Sequence, residues 1–392
     1  SVSNFFSFLE QNKILIFVPI IACLIMYGIK LFHFTIGIDT ELYMGKKQFI
    51  NWLSIGRFGL VLLQKLWIYN FFNPFTAVFV ALIFFIFSIW LWLYVIDFYS
   101  KGKIKNYTLL FFALIYETSQ VWSEQMFFTL QCAEIMFATF LIPLCVIWLI
   151  ELVEQQQKNI FYLAINFVGW VFFACFLISI YQSFILLIAV GFIACFILQK
   201  TFTTEKTPNN KKINWQICIK AFCLLIFALF LYIVLNNIIL KIYAIEQSDY
   251  LIEKTKNHRG ERINFLHNAF LYFYTRTFCN IGFCRKMIES VIALHAQSGM
   301  KAVEVLQQSY QQPNYILIIL IISFIFYSIK NSQKSFLYIL LNIALIISIY
   351  ICPVMGNDAI RVKVMNPFIF GFMTMLVIHF LPHKINITAI LI

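Results

Sequence analysis

The chain has 392 residues, 62% of them hydrophobic and 12% charged. Soluble domains carry about 25% charged residues, so an ordinary soluble protein is excluded. The formal charge of +12 is scattered over loops with no contiguous basic helix, which argues against nucleic acid and suits helix ends that meet anionic lipid.

Apolar runs of about 18 residues or more recur from end to end, each long enough to cross roughly 30 Å of hydrocarbon as a helix. Lipid offers the backbone no hydrogen bonds, so such runs are helices. The expectation is an all-α polytopic membrane protein with about ten transmembrane helices, forming a single integral membrane domain over residues 1–392. The ten cysteines mostly lie in apolar runs, where cysteine acts as a small hydrophobe. Cys279 and Cys284 are placed to form a disulfide or to remain free thiols.

In chain order, the first span runs from Ile14 to Phe34 and is a retained helix. Residues 35–73 form a first external loop carrying Asp39, Glu41 and Arg57. Within it, Lys47 to Asn70 alternates apolar and polar residues and reads as an amphipathic helix at the interface. Asn73-Pro74 resets the backbone, because proline has no amide hydrogen. Span two follows from Phe75 to Phe98 and ends in Ser100 to Lys105. Span three starts near Tyr107 and breaks around Glu117, where a polar patch to Glu124 leads into span four, Met126 to Leu152. Spans five and six, Ile160 to Leu177 and Phe184 to Leu198, pivot on Ser179 to Ser183. Span seven covers Trp215 to Leu240. A long polar loop, 241–314, holds external surface helices around Asn264 to Tyr274 and Lys286 to Leu306. Spans eight to ten are Tyr315 to Ile329, Phe336 to Ile351 and Val364 to Leu381.

Lysines fill the short loops on one side (Lys101, Lys103, Lys105, Lys158, Lys200, Lys206, Lys211, Lys212, Lys330 and Lys334), while the opposite short loops near residues 117–131 and 181 have none. The positive-inside rule puts the lysine side and both termini in the cytoplasm. Asp39, Glu41, Arg57, Glu117, Glu124, Arg361 and Lys363 then face outward, with Glu134 close by.

Carboxylates beside several arginines at one membrane face suit chemistry on a lipid-linked phosphate. Arginine grips phosphate oxygens through forked hydrogen bonds, and a carboxylate can take the proton of an attacking hydroxyl. Spacing leaves Asp39 and Glu41 equally eligible as base, or as charges that solvate the end of span one. Arg57 sits between Gly56 and Gly59 and reads as a phosphate contact or as a snorkelling interfacial arginine. Glu117 and Glu124 read as substrate contacts or as helix-pairing residues. Arg259, Arg262 and Arg276 read as site residues or a solvated face, and Tyr181, Gln182 and His267 as weaker substrate contacts or packing. Arg361 and Lys363 read as phosphate contacts or as interfacial anchors. Paired carboxylates can hold a divalent metal, yet no ligand spacing calls for one, and no cofactor is expected.

The run Ile38-Asp39-Thr40-Glu41, followed by Trp52-Leu-Ser-Ile-Gly56-Arg57-Phe58, resembles the start of the glucosyl transferase II family, the serotype-converting O-antigen glucosyltransferases. Ser179-Ile-Tyr-Gln-Ser183 and Arg361-Val-Lys-Val-Met-Asn-Pro367 are similar to later patterns in that group. The resemblance implies a GT-C type enzyme of the bacterial inner membrane that moves glucose from a polyprenyl-phosphate sugar to an O-antigen or related surface glycan at the external face. It implies Asp39 as the catalytic carboxylate, Glu41 as second candidate and Arg57 as donor-phosphate contact; by charge and position, Arg276, Arg361 and Lys363 are further candidates for that contact. It also implies a functional link to an enzyme that makes the donor and a flippase that presents it. The competing readings are a transporter or flippase of a lipid-linked glycan, and a polysaccharide-assembly subunit without catalysis.

Overall fold

The computed structural model describes residues 2–33, 48–67, 73–154, 160–202, 215–248, 315–331, 336–349 and 362–380. Every regular element among them is helical. In chain order they are α1 (Val2–Gln11), α2 (Ile14–Tyr27) with a 3-10 turn at Gly28–Leu31, α3 (Gln48–Ser54), α4 (Phe58–Trp67), α5 (Pro74–Ser100), α6 (Asn106–Glu117), α7 (Gln120–Phe127), α8 (Cys132–Glu154), α9 (Ile160–Ile180), α10 (Phe184–Phe202), α11 (Trp215–Ile242), α12 (Tyr315–Asn331), α13 (Phe336–Ser348) and α14 (Asn366–Phe380).

Among the described residues, six helical segments are long and apolar enough to cross a membrane: Ile14–Leu31, Pro74–Ser100, Cys132–Glu154, Phe161–Ile180, Phe184–Phe202 and Trp215–Ile242. The other four expected spans are shorter. They are the 12 residues of α6, 17 of α12, 13 of α13 and 15 of α14. A polytopic helical membrane protein is therefore established, while the count of ten crossings is not.

Helix α5 shows how sequence sets the boundaries. Asn73 accepts at its side-chain oxygen from the amides of Phe75 (2.9 Å) and Thr76 (3.3 Å), and Pro74 fills the first helical position where no amide is needed. At the other end Lys101 and Gly102 take positive φ and turn the chain away. α5 packs along α8 at the centre of the bundle. Pro143, inside α8, has no N–H for the Thr139 carbonyl one turn earlier, and Ser88 of α5 supplies the missing donor at 3.0 Å. On the opposite flank of α8, the Trp170 indole of α9 donates to the Cys145 carbonyl at 2.9 Å.

Three expectations change in detail. The Lys47 to Asn70 stretch is two helices rather than one, because Gly56-Arg57 interrupts it. Span four begins at Cys132 instead of Met126, since residues 120–127 form their own short helix, α7. The N-terminal helix α1 was not anticipated; it lays Phe5 and Phe8 against Tyr94 of α5.

Candidate active site

The site is built on the break between α3 and α4. The amide of Gly56 bonds the Leu53 carbonyl (2.9 Å) and that of Arg57 the Trp52 carbonyl (2.8 Å). Closing α3 this way requires φ +82° at Gly56, the left-handed region that glycine enters without penalty. A β-carbon there would overlap the Tyr232 hydroxyl. That hydroxyl, from the middle of α11, donates to the Gly56 carbonyl at 3.0 Å. The Gln182 amide, from the turn between α9 and α10, donates to the Ile55 carbonyl (2.7 Å) and to the Tyr232 oxygen (3.1 Å). Two polar side chains thus satisfy two consecutive turn carbonyls, which buried backbone demands. Phe58 stacks on the Tyr232 ring, centroids 5.9 Å apart. One residue further, Gly59 lets α4 lie flush on α9, since a β-carbon would overlap the Ser179 hydroxyl.

This fixed turn aims Arg57. Its guanidinium carbon lies 4.7 Å from the Tyr181 ring centroid and 5.2 Å from that of Trp52, and Nη1 donates to the Gln131 side-chain oxygen. Stacking on aromatic faces suits the flat, delocalised guanidinium. Gln64, two turns along α4, donates to the Leu130 carbonyl. Arg57 and Gln64 together hold the buried connection from α7 to α8.

Lys30, in the turn after α2, meets the start of that connection. Its ammonium lies 3.6 Å from the centroid of the Phe127 ring. Three carboxyl groups surround the same region of chain. Glu117, fully buried at the end of α6, receives the Cys23 thiol at 3.6 Å, and its backbone carbonyl accepts from the Tyr27 hydroxyl. Its other carboxyl oxygen, one oxygen of Glu124 and one of Glu134 are buried without a hydrogen-bond partner. Glu134 sits in the first turn of α8, where the helix dipole favours negative charge. Among the described residues no group of three His, Cys, Asp or Glu side chains could hold a metal.

The family model for glucosyl transferase GtrII matches residues 28–381. The chain belongs to that family. No curated protein and no solved structure matches it. Membership makes the protein a glucosyl transferase, and the matched stretch opens at the turn that carries Lys30 and takes in every site residue above except Cys23 and Tyr27.

In this glucosyl transferase, three of the residues expected from sequence come together: Arg57, Tyr181 and Gln182 form one clamp around the α3–α4 break. Glu117 is directed at α2 instead, and Glu124 lies on the intervening helix α7. Lys363 accepts the Asn366 amide at its carbonyl (2.9 Å), at the start of α14. Asp39, Glu41, Arg259, Arg262, His267, Arg276 and Arg361, and the cysteines Cys279 and Cys284, lie outside the described residues. Sequence reasoning missed Tyr232, Gln131 and Lys30. Tyr232 and Asn236, one turn apart in an otherwise apolar helix, were the available signal: both approach Gly56.

Proposed function

We propose that the protein transfers glucose from a polyprenyl-phosphate donor to an O-antigen or related surface glycan at the outer face of the inner membrane, with inversion at the anomeric carbon. The observation that carries this reading is Arg57, a guanidinium pinned between two aromatic rings at the end of a membrane bundle in a chain of the glucosyl transferase GtrII family. The same mounting braces the α7–α8 connection through Gln131, and a guanidinium held rigid in this way is suited to a phosphate leaving group.

In the reaction, the acceptor hydroxyl oxygen bonds to the anomeric carbon while the bond from that carbon to the phosphate oxygen breaks. The proton passes to Asp39, with Glu41 the second candidate base. The electron pair leaves with polyprenyl phosphate, whose growing charge Arg57 stabilises; Arg276, Arg361 and Lys363 are further candidates for that role. Glu117, Glu124, Tyr181, Gln182, Arg259, Arg262 and His267 are candidates for shaping the substrate site. The loop charges favour cytoplasmic termini and an external site, so the donor must be made by a separate transferase and presented by a flippase. No metal is needed for this scheme.

The test is transfer by the purified protein from polyprenyl-phosphoglucose to acceptor glycan, for wild type, Asp39→Asn, Glu41→Gln and Arg57→Lys. Loss of turnover in Asp39→Asn supports it. Full activity in both carboxylate variants refutes the base assignment, and a wild type that never consumes donor refutes the transferase reading.

A further inference from the structure

Lys30 is unexplained by the clamp around Arg57. It sits at the top of α2, and its ammonium nitrogen is buried with no hydrogen-bond partner. A buried ammonium without an acceptor is costly; the Phe127 face offsets part of that cost, and an anion beside it would supply the missing acceptor. Lys30 lines a small pocket together with His33, Pro74, Val78, Met126, Phe127 and Thr129. The pocket therefore joins one cation, the His33 imidazole and the Thr129 hydroxyl to apolar residues of α5 and α7. That mixture suits the head of an amphiphile rather than a free sugar or a hydrated ion.

What leads away from the pocket has the same character. Pro74 and Val78 belong to the first turns of α5, and the adjacent row on that helix is Phe75, Phe79, Ile83 and Phe87, all outward-facing at 40%, 55%, 37% and 38% exposure. Spaced four apart, they form one stripe down the helix. Twelve residues at 1.5 Å each extend it roughly 18 Å into the hydrocarbon. A cation at the head and an apolar stripe below match a phosphate carrying a long hydrocarbon tail.

We propose that Lys30 is a further phosphate contact of this transferase and that the α5 stripe beneath it takes the polyprenyl chain of the lipid phosphate. Lys30 reaches the connection between α7 and α8 at Phe127 and Arg57 reaches it at Gln131, four residues on, so the lipid phosphate enters beside Phe127 and Thr129 with Arg57 on its sugar side. The inference rests on the donor assignment above, and a binding experiment without sugar or acceptor separates the two.

The full-length protein in nanodiscs is titrated with a photoreactive farnesyl phosphate, and crosslinked peptides are mapped. Expected are labels on residues 75–87 and a Kd about tenfold or more weaker in Lys30→Met, with Lys30→Arg close to wild type, because a hydrogen bond to a charged group contributes on this scale. Competition with millimolar inorganic phosphate or with phosphatidylglycerol is expected to leave labelling intact. Equal displacement by either would overturn the proposal, as would absent binding, labels away from α5, or unchanged affinity in Lys30→Met. The crosslink map of the wild type decides the matter even if Lys30→Met fails to fold. Lys30-dependent binding in a protein that transfers no glucose would sink only the transferase reading. Glucose transfer with the donor KM unaltered by Lys30→Met would sink only this inference.

Discussion

Replacing Gly56 by alanine strains the turn in two separable ways. The first is conformational: φ is +82° at this position, and a residue with a β-carbon loses about 1–2 kcal/mol there. The second is steric: the new β-carbon overlaps the Tyr232 hydroxyl. Moving that hydroxyl away breaks its bond to the Gly56 carbonyl and its bond from Gln182, about 1 kcal/mol each. The turn is thus raised by about 3–4 kcal/mol, and Arg57 swings with it. Tyr232→Phe alone removes the hydroxyl, keeps the stack on Phe58 and leaves the Gly56 carbonyl without its donor, for about 1–3 kcal/mol. In the double variant the overlap is gone, because its second partner is gone. The two costs therefore fail to add, with a favourable coupling of about 1–2 kcal/mol. Unfolding free energies in detergent and donor kcat/KM are read for all four proteins of the cycle. Gly56→Ala should lower kcat/KM by roughly a hundredfold, at 1.4 kcal/mol per tenfold. Strict additivity would refute the steric half of the reasoning, and a Gly56→Ala enzyme with normal kcat/KM would refute the idea that this turn aims Arg57.

Arg57→Lys keeps the charge but loses the contacts with Tyr181 and Trp52 and the fork that reaches Gln131; donor kcat/KM should fall about tenfold or more, and the buried Gln131 oxygen left without this donor should cost about 1–3 kcal/mol in unfolding experiments. Ser88→Ala orphans the Thr139 carbonyl beneath Pro143 and should cost about 1–3 kcal/mol in unfolding experiments. Adding Pro143→Ala restores a helix amide to that carbonyl, so the pair should recover most of the loss. Glu117→Gln preserves the shape and the acceptor for the Cys23 thiol, and one carboxyl oxygen already lacks a partner. Its stability should stay within about 1 kcal/mol of wild type by thermal melting, whereas Glu117→Leu, which offers Cys23 nothing, should be less stable.

Where the sequence was legible, the cause was local. The Asn73-Pro74 cap, the Ser100 to Lys105 stop and the pivot at Ser179 to Ser183 depend on residues within a few positions of one another, and α5, α9 and α10 start or end there. The Gly-Arg pair was visible as a feature, but its effect was not. Periodicity read Lys47 to Asn70 as one amphipathic helix, because a single turn at positive φ leaves the apolar spacing on either side nearly intact. The clamp was hidden for a different reason. Tyr232 is 176 residues from Gly56 and sits in a run whose hydropathy announces a span and nothing more. Lys30 was absorbed into the first span, since one charge at a helix end is commonplace until its surroundings are known. Long-range polar contacts of this kind leave no periodic trace.

The brevity of α6 has a consequence for how a substrate would meet the protein. Its 12 residues rise roughly 18 Å, whereas the 27 residues of α5 rise roughly 40 Å at 1.5 Å per residue. The chain leaves the lysine-rich end along α6 and turns at Glu117 less than halfway back up the neighbouring helix. Helix α7 then climbs from that depth to Phe127, beside Pro74. Along that climb Val121, Trp122, Gln125 and Met126 are buried, and Glu117 at its foot is enclosed against α2 by Cys23 and Tyr27. A lipid-borne head group therefore meets α7 first, and Glu117 is reached only through that helix.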